Sequence, residues 1–365
     1  MQPLEDFLVV DFSQFLSGPS ASLRLADLGA RVIKIERPET GDICRHLYTS
    51  NVVLNGESTV FHAINRNKES LALNIKNEDD KALIWKLLEK ADVVMHNFSP
   101  GVMERLGFSY DKVKERNPSV VYGEISGYGT DGPWKDLPGQ DLLLQSLTGI
   151  TWLNGNKNDG PVPMGLSIVD MLAGANLADG ILACLLRKAL KDEGALVQVS
   201  MIECALDYQF EVITTFFNDG GALPERTVSN NCHAYLGMGV IPVLGNLLSC
   251  DDLLVFQDPK EAFEKRDEIK AILAKHLETQ ETAYWLNILE PADIWCAEIL
   301  NWNQLFNHDA FKALDFFQKV EMNDGFTYDT TRCPIRIDGE IFKSAKGSPA
   351  LGQDNSAILK ELVNG

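Results

Sequence analysis

The first 36 residues follow the order strand, helix, strand, and this order constrains the fold more than any other feature of the sequence. The apolar run Phe7–Phe12 (FLVVDF) predicts a short buried strand, and Arg31–Glu36 (RVIKIE) predicts the next one. Between them, Gly18-Pro19 marks a helix start and Gly29 marks its end. Because two strands joined by such a helix lie parallel with a right-handed crossover, the pattern predicts an α/β protein with a parallel sheet.

The same unit recurs further along the chain. In parallel sheets ligands bind where the carboxyl ends of the strands meet, and the segments that follow these strands are rich in Gly, Pro, Ser and Asn. We predict further strands at Ser70–Ile75, Asp92–Phe98, Val120–Ser126 and Ala195–Ser200, helices at Glu78–Ala91, Val102–Leu106, Tyr110–Arg116, Met201–Phe217, Pro259–Leu277 and Thr279–Leu289, and a hairpin with its turn at Asp338-Gly339.

A chain of 365 residues exceeds the usual size of a single core, so two domains are expected. We predict a large Rossmann-like domain over residues 1–220, with the C-terminal tail 332–365 packing back on it. A smaller α/β domain is expected over 238–318. The segments 221–237 and 319–331 are predicted to be linkers.

Composition excludes several classes of function. The net charge of −19 argues against a nucleic-acid partner. No apolar run of membrane-spanning length lacks a charge or helix breaker, and the N-terminus does not resemble a signal peptide. Seven cysteines without a CxxC pair indicate reduced thiols and a cytoplasmic protein. No dinucleotide fingerprint, P-loop, GxSxG or metal-binding motif occurs, so no metal is expected.

Basic residues are nevertheless concentrated between positions 31 and 105. A locally basic surface on an acidic protein would suit a small polyanionic ligand, although ordinary solvated helix faces have the same composition. The basic residues concerned are Arg31, Lys34, Arg37, Arg45, Arg66, Lys68, Lys76 and Arg105.

Asp170 is a carboxylate near the start of the apolar run Pro163–Leu186. Burying an unpaired carboxylate costs roughly several kcal/mol of folding free energy. With Ser167 at the start of a helix, Asp170 would meet unpaired backbone N–H groups and the positive end of the helix dipole. This placement predicts an ionised nucleophile or base. The structural alternative is that Asp170 only caps the helix or pairs with a distant Lys or Arg.

Six motifs occur in order along the chain: Ser17–Arg45 (SGPSASLRLADLGARVIKIERPETGDICR), Asn65–Lys76, Ala91–Tyr110, Asn117–Trp134, Gly139–Ile150 and Gly165–Leu185. Together they resemble the class III CoA-transferases, a family that includes formyl-CoA transferase, carnitine CoA-transferase and the 2-methylacyl-CoA racemases. The resemblance is nearly continuous from Leu4 to about Phe217 and looser beyond.

The resemblance implies an acyl-CoA:carboxylate CoA-transferase in which Asp170 forms a covalent acyl-enzyme. It implies acyl-CoA and a small carboxylic acid as substrates, no permanently bound cofactor, and an interlocked homodimer. Arg37 and Arg105 match positions that face the CoA phosphates. Implied CoA contacts are also Leu16, Ser17, Leu73, Asn74, Ile75, Lys76, Asn97, Phe98, Ser99, Gln140 and Asp141.

One substitution favours a transferase over a racemase. The racemases carry a His in a GHD segment whose counterpart here is Gly139-Gln140-Asp141, and glutamine is not a general base at neutral pH. A racemase would then need Asp141, Glu203 or Asp207 as its second base. A catalytically silent CoA-binding protein is the other alternative. Its motivation is that the chain after Gly237 is roughly 15 residues shorter than is usual in the family.

The identity of the acids is left open by the sequence. Formyl-CoA transferases carry a glutamine at the position of Leu16, which disfavours oxalate and formate.

Overall fold

The computed structural model describes residues 2–48, 52–155, 159–221, 234–236 and 241–364. The strands are β1 (Leu8–Asp11), β2 (Arg31–Glu36), β3 (Val53–Leu54), β4 (Glu57–Ser58), β5 (Glu69–Ala72), β6 (Val93–His96), β7 (Val121–Ser126), β8 (Ala195–Ser200), β9 (Ala234–Leu236), β10 (Cys296–Glu298), β11 (Phe317–Glu321), β12 (Thr327–Thr331), β13 (Arg336–Ile337) and β14 (Glu340–Ile341).

The helices are also numbered in chain order. They are α1 (Ser17–Asp27), α2 (Thr59–Asn65), α3 (Glu78–Leu88), α4 (Val102–Leu106), α5 (Tyr110–Arg116), α6 (Asp141–Leu147), α7 (Ile150–Leu153), α8 (Ile168–Lys191), α9 (Met201–Asp207), α10 (Phe210–Asn218), α11 (Ile241–Leu248), α12 (Pro259–Glu264), α13 (Arg266–Leu277), α14 (Thr282–Leu289), α15 (Trp302–Asn307), α16 (Asp309–Lys312) and α17 (Asn355–Asn364).

Six strands form one parallel sheet in the order β5-β2-β1-β6-β7-β8. In chain order this is 3-2-1-4-5-6, the doubly wound arrangement of dinucleotide-binding folds. Val9 of β1 pairs with Val32 of β2 on one side and with Val93 of β6 on the other. The direction of winding therefore changes between β1 and β6. The predicted α/β class with a parallel sheet is confirmed.

Helix α8 covers one face of this sheet through an apolar stripe. Its buried residues recur every four positions, which is the spacing of one helix face. On β7, Gly123 leaves room for this stripe, since a β-carbon there would lie 3.0 Å from the Leu177 side chain. Among the described residues, α8 is the helix long and apolar enough to cross a membrane, a test that core helices also pass. The stripe consists of Val169, Ala173, Leu177, Ile181 and Leu185.

Against α1, helix α8 has no room for a side chain at Gly174. A β-carbon there would lie 2.6 Å from the backbone oxygen of Ser17 and 2.1 Å from the Ser20 hydroxyl. Neither backbone could accommodate that contact without shifting, because buried packing is dense. Glycine at this position therefore sets how closely the two helices approach.

The chain divides into two compact units, Met1–Thr148 with Met164–Thr214 and Asp315–Gly365, and Gly149–Pro163 with Thr215–Leu314. The first contains the parallel sheet. The second is mainly helical in its described part, and the described strands β9 and β10 form an antiparallel pair within it. Its core contains Leu253, Trp285 and Leu289.

The two predicted linkers have different outcomes. Residues 319–331, predicted to be a linker, form most of the antiparallel hairpin β11–β12, so that prediction is wrong. Alternation of buried and exposed side chains along β11 stabilises it as a strand. The predicted linker 221–237 falls largely outside the described residues, as does the shortening after Gly237.

The C-terminal segment returns to the sheet of the first unit. Asp354 accepts a hydrogen bond from the Ser70 backbone at 2.8 Å, and Asn355 accepts one from Ala72 at 2.8 Å. Ile358 and Leu362 of α17 lie in the same apolar core as the strands. The predicted hairpin turn at Asp338-Gly339 is confirmed, with β13 and β14 on either side.

Two long helices expected from periodicity are interrupted. The predicted helix Met201–Phe217 is divided into α9 and α10, because the Gln209 N–H bonds to the Leu206 oxygen three residues back. The predicted helix Pro259–Leu277 is likewise α12 and α13. Apolar periodicity continues across such breaks, which is why it did not reveal them.

Candidate active site

The segment between β1 and α1 lies at the switch point of the sheet and is held by Asn97. Asn97 Oδ1 accepts a hydrogen bond from the Gln14 backbone N–H at 2.8 Å. Its Nδ2 donates to the Gln14 backbone oxygen at 2.7 Å and to Ser17 Oγ at 3.3 Å. Since Asn97 directly follows β6, one side chain ties the ends of both strands at the switch point to the start of α1.

Buried charges hold the same segment from the adjacent strand. Lys34 Nζ lies 2.8 Å from Asp42 Oδ2 and donates to the Ser13 backbone oxygen at 2.6 Å, with both charged side chains fully buried. Asp42 Oδ1 accepts the Phe15 N–H at 3.1 Å. Phe15 has φ 61°, a strained conformation for a bulky residue. The surrounding contacts therefore impose the backbone shape that precedes Ser17.

Asp170 lies in the first turn of α8, beside the start of α1. The Ser17 hydroxyl donates a hydrogen bond to its carboxyl. Burial and, to a smaller extent, the nearby Asp141 carboxylate together raise the pKa of Asp170 to about 6, although the Ser17 hydrogen bond acts in the opposite direction. At neutral pH the group is therefore ionised yet more basic than an ordinary aspartate.

The N-terminus of α8 is capped by Asp141 rather than by Ser167. Asp141 Oδ1 accepts the backbone N–H groups of Val169 at 2.7 Å and Asp170 at 3.1 Å. The Ser167 side chain makes no capping hydrogen bond. The prediction that Asp170 meets unpaired N–H groups is therefore wrong for these two donors, because a carboxylate from another helix already accepts them.

The predicted CoA-contacting residues separate into three sets. The first set, Ser17, Asn97 and Asp141, lies with Asp170 in the hydrogen-bonded cluster described above. The second set has side chains in apolar clusters: Leu73 lies in the main core, Ile75 and Phe98 pack against that core, and Leu16 packs against Leu23 and Phe61. The remaining set is exposed and consists of Ser99, Arg37, Asn74, Lys76, Arg105 and Gln140.

The predicted basic surface is wrong for most of its residues. Lys34, Arg45, Arg66 and Lys68 are buried and paired with carboxylates, because an unpaired charge would be too costly inside the fold. Arg31 pairs with Glu69 and Glu361. The exposed members of the set are Arg37, Lys76 and Arg105.

A separate cavity of about 190 Å³ lies at the ends of β6 and β7, lined by His96, Phe98, Glu104 and Glu124 among others. His96 Nε2 lies 3.5 Å from Glu124 Oε2. His96 belongs to the same sheet face as Val94, whereas α8 covers the opposite face through Gly123. Among the described residues no group of three or more His, Cys, Asp or Glu is arranged to hold a metal.

Sequence reasoning missed three residues that shape the site: Gln14, Asp42 and Gln145. Gln145 Nε2 donates to Asp141 Oδ2 at 2.6 Å, and its Oε1 accepts the Met164 N–H at 2.9 Å. The spacing of four residues between Asp141 and Gln145 on a helix could have suggested their contact. The other two act through backbone contacts that no motif reveals.

Comparisons with known proteins point to a single family. The profile of CoA-transferase family III matches residues 4–242 and 240–355. Acetyl-CoA:oxalate CoA-transferase of Acetobacter aceti is 30% identical over 99% of this chain and 96% of its own. Succinyl-CoA:glutarate CoA-transferase of Mus musculus is 28% identical over 100% of this chain and 87% of its own.

Solved structures match the fold over nearly the whole chain. A protein from Mycobacterium tuberculosis matches with a TM-score of 0.85 and 27% identity, over 98% of this chain and 99% of the other. A CAIB/BAIF family protein from Brucella suis matches with a TM-score of 0.84 and 26% identity, over 99% of each chain.

Replacing Ser17 by alanine is expected to raise the pKa of Asp170 above about 6, because the hydrogen bond that favours the ionised carboxyl is lost. The measurement is a carbon-13 NMR titration of aspartate carboxyls, with the Asp170 signal assigned by its absence in Asp170→Asn. Ser20→Ala is the matched control, since the Ser20 hydroxyl donates to the Ser17 backbone oxygen. An unchanged Asp170 titration in Ser17→Ala would contradict the assigned contact.

Proposed function

We propose that this chain, which belongs to CoA-transferase family III, moves coenzyme A from an acyl-CoA donor to a carboxylic acid through a covalent intermediate on Asp170. The observation that carries the proposal is the state of Asp170 at the switch point of the sheet. A carboxylate with a pKa of about 6 is ionised at neutral pH and is a better nucleophile than an ordinary aspartate.

The reaction consists of four displacements on acyl carbons. An Asp170 oxygen attacks the donor thioester and CoA thiolate leaves, which gives a mixed anhydride. The thiolate attacks the Asp170 acyl carbon and releases the donor acid as a carboxylate, which gives an aspartyl-CoA thioester. The acceptor carboxylate displaces CoA from this thioester to form a second anhydride. Attack of the thiolate on the acceptor acyl carbon yields the new acyl-CoA and restores the Asp170 carboxylate.

The CoA phosphates are proposed to bind the exposed cations at the carboxyl edge of the sheet. Arg37 directly follows β2, Lys76 lies just beyond β5, and Arg105 lies on α4 beyond β6. Phosphate groups favour charged side chains and backbone N–H donors at such strand ends. Because Leu73 and Ile75 are turned into the core, any contact of this segment with CoA would use its backbone and the side chains of Asn74 and Lys76.

The remaining predicted CoA contacts are Leu16, Ser17, Asn97, Phe98, Ser99, Gln140 and Asp141, and they are proposals too. Gln140 is exposed and its side chain does not cap α6. Asp141 already accepts three hydrogen bonds, from two backbone N–H groups and the Gln145 amide. These contacts favour Asp141 as a structural group over a second base for racemisation. Exchange of the α-hydrogen of 2-methylacyl-CoA in deuterated water would instead support a racemase.

A panel of acyl-CoA donors and carboxylic acid acceptors would identify the two acids. Acetyl-CoA and succinyl-CoA are the first donors, with oxalate, glutarate and other short acids as acceptors, because the relatives named above carry those names. Products are resolved by mass spectrometry.

We also propose a cytoplasmic location, supported by the six free cysteines among the described residues.

We propose that the protein is a homodimer with interlocked chains, as the family resemblance implies. Exposed leucines on and before α8 support a protein partner: Leu166 is 74%, Leu186 62% and Leu190 73% exposed. Sedimentation equilibrium should give twice the chain mass of 40.5 kDa. Leu186→Glu with Leu190→Glu should lower the mass or weaken association, whereas Lys191→Glu should not. A wild-type mass equal to one chain would contradict the dimer.

Asp170→Asn should lower the transfer rate by at least about a thousandfold, because the amide oxygen is not a nucleophile of comparable strength. Binding of CoA, measured by calorimetry, should be nearly unchanged. With the wild type, hydroxylamine should trap the aspartyl thioester as a hydroxamate at Asp170, seen by peptide mass spectrometry. Asp179→Asn is the matched control, an exposed carboxylate on the same helix. Turnover of Asp170→Asn within about tenfold of the wild type would contradict the covalent route.

Arg37→Ala and Arg105→Ala should each raise the KM for acyl-CoA by about tenfold or more, since a charge-assisted hydrogen bond contributes about 1.5–3 kcal/mol. The effect should shrink with dephospho-CoA substrates for whichever arginine binds the 3′-phosphate. Arg116→Ala is the control, because this exposed arginine pairs with Glu89, the residue directly after α3. A change below about twofold in both variants would argue against this phosphate site.

A further inference from the structure

A carboxylate from a different helix occupies the N-terminus of α8. The first N–H groups of any helix lack partners within it. Here Asp141, the first residue of α6, accepts two of them, from Val169 and from Asp170. Asp141 lies 28 residues before Val169 in the chain. The start of α8 is thus fixed by tertiary structure and not by its own N-cap residue, Ser167.

Asp141 is itself held in one orientation. It is buried, with 7% of its surface exposed, and Gln145 donates to its second oxygen at 2.6 Å. Gln145 also donates to the Leu166 backbone oxygen at 3.2 Å and accepts the Met164 N–H at 2.9 Å. The pair therefore fixes both the first turn of α8 and the segment that leads into it.

This arrangement changes the surroundings of Asp170 in two ways. The Asp141 carboxylate takes N–H groups that would otherwise stabilise a negative charge on the first turn. It also places a fixed like charge near the Asp170 carboxyl, which disfavours ionisation of that carboxyl. The Ser17 hydroxyl acts in the opposite sense by donating to the ionised form.

We infer that Asp141 is a positioning residue for the Asp170 nucleophile: it fixes the first turn of α8, which carries Asp170, and holds a like charge near the attacking carboxyl. The inference rests on the proposed function, in which Asp170 attacks the acyl-CoA. Asp141 acts through Asp170 and makes no contact with the reacting atoms in this role. A more basic carboxylate forms the bond to the acyl carbon faster, provided that it stays ionised at the working pH.

Other charged groups on the elements packed against α8 do not account for this effect. The state of the Asp170 carboxyl follows from burial, Asp141 and Ser17. The α9 carboxylates are exposed to solvent, and Asp27 on α1 pairs with Arg24 and Arg66. Apart from Asp141, the charged groups on the elements packed against α8 are Arg24 and Asp27 of α1, Glu203 and Asp207 of α9, and Glu124 of β7.

The test compares Asp141→Asn with the wild type and with Asp179→Asn. The asparagine keeps an oxygen that can accept the two N–H groups and removes the charge. The acid limb of the rate profile should move to lower pH by at least about half a unit, and the rate on the plateau should fall several-fold. Asp179→Asn makes the same chemical change nine residues along α8, about 13 Å away along the helix axis, and should leave the profile unchanged.

A purely structural cap would give a different result. The unfolding midpoint and the rate would then fall together, with the acid limb of Asp141→Asn unmoved, and that outcome would overturn the inference.

Carbon-13 titration of the Asp170 carboxyl in the wild type is a readout that does not depend on enzymatic activity or on whether a variant folds. In the wild type, titration of Asp170 near its ordinary value instead of about 6 would also overturn the inference. A wild type without activity on the whole donor and acceptor panel would refute the proposed function, while a comparison of the Asp170 titration in Asp141→Asn and in the wild type would still test the action of Asp141.

Discussion

The candidate site depends on the close approach of α1 to α8 at Gly174. Any side chain at that position would collide with the backbone of Ser17, so only glycine allows the two helix starts to meet. Asp170 lies one turn before Gly174, and Ser17 is the first residue of α1, so this packing contact brings the hydroxyl to the carboxyl. The helix packing that completes the core is therefore also what assembles the site.

The segment that precedes Ser17 is held at a cost in free energy. Lys34 and Asp42 are fully buried, and removing two charges from water is only partly offset by their attraction. Lys68 lies in the same cluster, where burial lowers its pKa to about 7 despite Asp11 nearby. Such buried pairs add little net stability. Their effect here is to fix a strained backbone at Phe15 that would relax in a less constrained loop.

Much of the fold could be predicted from the sequence, because local patterns carry it. The strand Arg31–Glu36 and the helix Tyr110–Arg116 have the predicted bounds, and Asp170 stood out as a charge in an apolar run. Contacts between distant residues could not be predicted in this way. The cap from Asp141 joins positions 28 residues apart, and Arg66 is buried against Asp27 from 39 residues away. Solvated and buried basic residues have the same appearance in a sequence, because burial depends on partners that only the fold brings together.

Helix α8 is also held at its far end, by an ion pair between Lys188 and Asp92. Lys188 pairs with Asp92 at 2.7 Å, and Asp92 accepts the Leu8 N–H at 2.9 Å, at the amino ends of β1 and β6. The 24-residue helix is about 36 Å long and spans the sheet from that edge to the opposite one. Asp170 therefore lies near one end of a helix that is held by contacts at both ends. Under the proposed function, acyl groups of different size would be accommodated by the substrate and the surrounding loops, because the backbone that carries Asp170 is held at both ends of α8.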